Sequence, residues 1–357
     1  MTIYVKIRGG IMKGKNSTIS FFQKYLSIWV LFCMAIGVLI GHFLPSVSAF
    51  LSKLDVANVN IPIAVLIWFM IYPMMLKIDF SSIKQVGHKP KGLILTWIVN
   101  WIIKPFTMFG LASLFMYVVF KNVISLELQK DYVAGMVLLG VAPCTAMVFV
   151  WSSLCKGNPA YTLVQVATND LIILVAFVPL VALLLGVGGF VIPWDTLILS
   201  IVLFVVVPLV LSILTRTIIS KKKGNEYLEK KIIQKFNPVT TIGLLIMLIL
   251  LFTMQADLII KNPIHILIIA IPLVIQTFLI FALTFMSSRL LKLPFDVAAP
   301  ASFIGASNFF ELAVAVAISL FPLNPGVSLA TTVGVLVEVP VMLILVKIAN
   351  SLKKRFD

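Results

Sequence analysis

Lys104, Asp170, Glu311 and Glu338 are the acids and bases that stand well inside long apolar runs of this 357-residue sequence, and Cys144 is a thiol in the same setting. A charge carried into a bilayer costs roughly 2.5–3.5 kcal/mol on insertion scales unless it is paired or wetted. The four are therefore expected to line one polar cavity, with Lys104 neutralising Asp170 or Glu338. A structural pairing explains them as well as a role in ion coupling does. Counted from the ends of their runs at about 1.5 Å per residue, all five side chains fall near half depth.

Cys144 follows Pro143 in Gly140-Val141-Ala142-Pro143-Cys144-Thr145, where proline removes a backbone donor and clashes with the preceding turn. A thiol in an apolar helix is ordinarily an inert small hydrophobe, which suits Cys33 and Cys155. At a break near the midplane a soft sulfur can instead ligate a thiophilic solute. Cys155 lies about 16 Å further along a helix, too far to grip the same ion. One sulfur suits transport, since a cage of several would hold a soft metalloid too tightly to release it. No CxxC spacing supports a disulfide framework or a structural zinc site.

These residues must be positioned by membrane helices. The chain is 61% hydrophobic and 11% charged, with mean hydropathy +1.12, which excludes a soluble globular protein. Apolar runs near the length a bilayer needs, about 20 residues, cover 25–44, 61–76, 92–119, 133–155, 160–186, 196–216, 238–256, 263–288, 297–321 and 326–347. The expected fold is thus an all-α integral membrane protein of ten transmembrane helices. Turns are expected at Pro45-Ser46, Asn158-Pro159, Asn237-Pro238, Asn262-Pro263 and Asn324-Pro325. The first run is too long for the apolar region of a cleaved signal peptide, roughly 7–15 residues.

The net charge of +15 would elsewhere suggest nucleic acid, but 23 of the 28 Lys and Arg residues fall on one side of the runs and four on the other. Basic residues mark cytoplasmic loops, so both termini are expected inside the plasma membrane. The excess reads as a topology signal and an attraction to anionic membrane lipid, with no nucleic acid implied.

Five runs per half require any internal repeat to be inverted across the membrane. Pro105 and Pro272, Cys144 and Glu311, and Ser152 and Ser319 each lie 167 apart, Asn158 and Asn324 166, and Asp170 and Glu338 168. This register predicts two inverted five-helix repeats, 25–186 and 187–347, between cytoplasmic tails at 1–24 and 348–357. Spans 4 and 9 are expected to be discontinuous, the first at Pro143 and the second at Gly305 in the small, polar stretch Ser302 to Asn308. Interrupted spans at matching positions point to the binding site of a secondary transporter.

The run from Gly140 to Ser152, with Ala306-Ser307-Asn308-Phe309-Phe310-Glu311-Leu312-Ala313-Val314-Ala315, resembles the signatures of the arsenite efflux permeases. These form the arsenical-resistance branch of the bile acid/arsenite/riboflavin transporter superfamily. Lys104-Pro105-Phe106 and Thr168-Asn169-Asp170 also resemble family segments, and the likeness extends over all ten runs. It implies export of trivalent arsenic, in some members antimonite, against protons and without a cofactor. Cys144 matches the family's required cysteine and would be the metalloid ligand. Glu311 matches its required glutamate and would bind substrate with Asn308 and couple the proton. The resemblance further implies a core of spans 3 to 5 and 8 to 10 moving against a panel of spans 1, 2, 6 and 7.

Other readings are weaker. A sodium-coupled carrier of organic anions on the same fold could use Asp170, Glu311 and Glu338 to hold a cation, but would not require the cysteine signature. An intramembrane enzyme or ATP-driven pump lacks its motifs, HExxH and GxSxG among them. Gly9, Gly14 and Lys15 stand at phosphate-loop spacing, but Asn16 replaces the required Ser or Thr. The segment from Arg216 to Asn237 is too short and basic for the output module of a sensor. His42, His88 and His265 lie at span ends or in loops, where a surface role suits them better than proton relay.

Overall fold

The structure is a computed structural model that describes residues 4–7, 10–13, 26–56, 59–76, 90–144, 147–187, 202–261, 263–321 and 323–356. Inside lipid every backbone polar group must be satisfied within the protein, so uncharged apolar runs become helices. They do so here as α1 (Leu26–Phe43), α2 (Pro45–Ser52), α3 (Ile61–Leu76) and α4 (Lys91–Val119). Next come α5 (Leu126–Val141), α6 (Val148–Leu154), α7 (Pro159–Val187), α8 (Val207–Lys223) and α9 (Gln234–Lys261). The last are α10 (Pro263–Leu290), α11 (Phe295–Ala306), α12 (Phe310–Leu320) and α13 (Pro325–Ser351).

Among the described residues α4, α7, α10 and α13 are individually long and apolar enough to cross a bilayer, and α1 with α2, bent by 100°, passes the same test as a pair. The fold is that of a multi-pass membrane protein. Among the described residues the strands form two small antiparallel hairpins, β1 (Tyr4–Ile7) with β2 (Gly10–Lys13) and β3 (Asp55–Val56) with β4 (Val59–Asn60).

Prolines shape the helices more subtly than sequence punctuation suggested. Pro105, Pro208 and Pro238 each follow a π-helical turn, at Val99–Ile103, Val202–Val206 and Leu228–Ile233. Local widening of the ladder absorbs the hydrogen bond that proline cannot make. Asn237-Pro238, expected as a turn, lies inside α9, and most of the segment from Arg216 to Asn237 is helical. Pro45 likewise opens α2 at its first position, where a missing donor is tolerated.

Two packing groups result. In the first, α1 lies along α9, and α3 packs on α8 and α9; in the second, α5 packs on α4 and α13, α10 on α11 and α13, and α7 on α5 and α11. The two meet sparsely, chiefly where α3 touches α12 and α1 touches α13. The α1–α9 contact depends on Gly37 and Gly41, one turn apart. A Cβ at Gly41 would stand 2.3 Å from the Thr253 carbonyl and 2.4 Å from the Ala256 Cβ. Small residues at this spacing let backbones approach directly.

Candidate functional site

The second packing group encloses the break after α5 and the break between α11 and α12, and the two cross. Pro143 pairs with Asn308 in an isolated antiparallel bridge, and the Phe309 N–H donates to the Ala142 carbonyl at 2.8 Å. The first break is written locally. Pro143 cannot donate, and it forces the preceding Ala142 into extended backbone, φ −102° and ψ 101°.

The second break contains no proline. Helix α11 runs through Gly305 to Ala306, and the chain turns extended only at Ser307, φ −84° and ψ 155°. Gly305, expected at the break, packs inside the helix instead, where a Cβ would meet Thr284 Oγ1 at 3.0 Å and Val99 at 3.2 Å. What opens the helix is a buried charge clamp. Lys104 Nζ donates to the Ser307 carbonyl at 2.5 Å, the Ser307 hydroxyl donates to Glu338 Oε1, and the Asn308 N–H donates to Glu338 Oε2 at 3.2 Å. The signs follow the helix dipoles: an ammonium meets the carbonyl end of α11, and a carboxylate meets the amide end of α12.

Lys104 is also within electrostatic reach of both Glu338 and Cys144. Of the two acids considered for Lys104, Glu338 is thus the one set beside it. Cys144, at the first break, is buried, as are Cys33 and Cys155, and none of the three is in a disulfide. Cys155 closes α6, with its thiol directed at the Val346 carbonyl 3.9 Å away. Glu311 is the second residue of α12, three positions beyond Asn308; its side chain lies outside the described residues. No group of three or more His, Cys, Asp or Glu side chains forms a metal cluster among the described residues.

Asp170 sits in α7, whose neighbouring groups are held by tryptophans of α4. Trp97 Nε1 donates to Thr168 Oγ1 and Trp101 Nε1 to Asn169 Oδ1, both at 3.2 Å. Buried polar atoms without a protein partner gather on these helices: Asp170 Oδ1, Asn169 Nδ2, both amide atoms of Asn100, and Asn308 Oδ1 at the crossing. Such atoms are rare in native proteins because each forfeits solvation. Asn100 carries no ionisable group, so in the sequence only its place four residues before Lys104 marks it.

The histidines differ from expectation in one case. His265 is buried, and its Nδ1 pairs with the Tyr132 hydroxyl, because α10 begins against the first turns of α5. His42 stands in the last turn of α1 against Phe43. His88, Gly9, Lys15 and Asn16 lie outside the described residues.

Crossed broken helices that bring a lysine, a carboxylate and a thiol together inside an apolar bundle are the arrangement in which secondary transporters build their binding sites. The profile of the sodium bile acid symporter family matches residues 64–262. The chain is 59% identical to the arsenical-resistance protein Acr3 of Alkaliphilus metalliredigens, over 97% of this chain and 96% of that one. It is 33% identical to the Acr3 protein of Corynebacterium glutamicum, over 94% and 90% of the two chains. It is 46% identical to an uncharacterised transporter of Synechocystis, again over 94% and 90%. The protein belongs to the sodium bile acid symporter family, within its arsenical-resistance branch.

Proposed function

We propose that the protein exports trivalent arsenic, as uncharged arsenous acid, from the cytoplasm in exchange for protons, with antimonite as a second substrate. The observation that carries this reading is the 59% identity, over nearly the whole of both chains, to a protein named for arsenical resistance. The position of Cys144 at the crossing supports it. The Cys144 thiol replaces one hydroxyl of arsenous acid with loss of water, and the reverse exchange releases the metalloid. Asn308, with its side-chain Oδ1 unpartnered, and Glu311 complete the site. A proton reaching Glu311 from outside competes with substrate and drives release. Lys104 and Glu338 hold the second break, Pro143 holds the first, and Asp170 and Gly305 shape the surrounding cavity.

Ten membrane spans in two inverted repeats, with both termini in the cytoplasm of a cell-membrane protein, complete the reading. Exchanged contacts support the repeat. The Asn158 N–H donates to the Asp296 carbonyl at 2.7 Å, and Asn324 Nδ2 donates to Asp131 Oδ1 at 2.9 Å. Each half's Asn-Pro loop thus touches the start of the other half's broken span, and the aspartates are 165 apart in sequence. Helices of both halves contribute to each packing group, which suits the sliding of one group on the other.

The test is uptake of arsenite into everted vesicles with and without an imposed pH gradient. Wild type and Cys155→Ser are expected to accumulate arsenic, Cys144→Ser to fail, and Glu311→Gln to lose its response to the gradient. Equal uptake in all four overturns both substrate and residues. Sodium-dependent uptake of a bile-acid-like anion that survives Cys144→Ser decides for the organic-anion carrier instead.

A further inference from the structure

Helix α10 ends in a Schellman turn: the Leu293 N–H donates to the Ser288 carbonyl and the Lys292 N–H to the Arg289 carbonyl, each at 3.0 Å, with Lys292 at φ 54°. That left-handed position usually belongs to glycine, because a Cβ there costs about 1–2 kcal/mol. Here it carries an exposed ammonium. The helical turn Lys353–Arg355 beyond α13 is brought to the same place by aromatic packing. The Phe356 ring lies 4.8 Å from that of Phe285 and 5.8 Å from that of Phe295, and Lys353 Nζ stands 5.4 Å over Phe295.

Arg289, Lys292 and Arg355 therefore surround one cavity of about 430 Å³. All three are exposed, and none of these side chains has an acidic partner among the described residues. An adjoining cavity of about 310 Å³ shares Arg289, Arg355 and Phe356 and runs between α10 and α13, walled by Phe278, Ala282, Phe285, Leu345 and Ile348. Met286 and Leu290 beside it are 67% and 83% exposed, as befits a surface that faces lipid.

Converging cations repel one another unless they share an anion, and an apolar groove opening onto them accepts a hydrocarbon chain. An anionic phospholipid supplies both. We propose that α10, α13 and the C-terminal turn form a binding site for one such lipid, its phosphate held by Arg289, Lys292 and Arg355 and an acyl chain lying between Phe278 and Ile348. The bound lipid ties the C-terminal turn to the second packing group.

The test uses purified full-length protein in neutral detergent, with binding read by native mass spectrometry and folding by size exclusion. Phosphatidylglycerol is expected to bind about a hundredfold more tightly than phosphatidylcholine of the same chains, at roughly fivefold per cation. Arg289→Gln/Lys292→Gln/Arg355→Gln should remove that preference, Arg355→Gln alone should reduce it about fivefold, and Ala282→Trp should weaken binding by filling the groove. Lys221→Gln/Lys222→Gln/Lys223→Gln should leave it unchanged. Undiminished preference in Arg355→Gln and the triple variant, equal loss in the control, or glycerol phosphate competing as well as the lipid overturns the proposal.

Discussion

Lys104 and Glu338 are buried charges of opposite sign joined through the second break, Lys104 on the Ser307 carbonyl and Glu338 on the Ser307 hydroxyl and the Asn308 N–H. Removing one member of such a set strands the other without solvent, which costs about 3–5 kcal/mol. Lys104→Met and Glu338→Leu should each lower the melting temperature of the purified protein, and the double variant should melt above either single variant. A double variant that melts below both would show that the charges are not coupled. Depth counting in the sequence brought Lys104, Asp170 and Glu338 to one level but could not choose between the two acids. That choice depends on side-chain directions set by three helices at once. The tryptophans that hold Thr168 and Asn169 were invisible for the same reason, since their targets lie 71 and 68 residues away.

At the scale of elements, the first break was legible because Pro143 acts on its own neighbours. The second was not. Its polar, small-residue stretch marked the region, but the opening at Ser307 depends on a lysine 203 residues earlier. The π-helical turns before Pro105, Pro208 and Pro238 show the converse, prolines that read as punctuation yet are absorbed into helices. The contact of α1 with α9 gives a direct check on packing. Gly41→Ala forces a Cβ against the Thr253 carbonyl and should destabilise by about 1–3 kcal/mol. Gly110→Ala in α4, where a Cβ meets nothing within 4 Å, should instead be neutral or gain roughly 0.5–1 kcal/mol from helix propensity. Thermal melts of the two variants, run side by side, separate the effects; equal shifts would contradict the close approach.

For the whole molecule, the basic-residue asymmetry makes a prediction about topology. Single cysteines at Lys53 or Lys121 should react with a membrane-impermeant maleimide on intact cells, and those at Lys223 or Lys354 only after permeabilisation. The native cysteines Cys33, Cys144 and Cys155 are buried and give little background. Labelling of Lys354→Cys on intact cells would reverse the orientation. The two arms of the crossing also differ in what maintains them. One shape is fixed by a covalent ring and is indifferent to the medium, while the other exists only as long as two opposite charges keep their values. Wetting, protonation or a visiting ion can therefore act on one arm alone, and it is the arm leading into the helix that bears Glu311. An external signal arriving at a symmetric-looking junction acquires a direction from that difference.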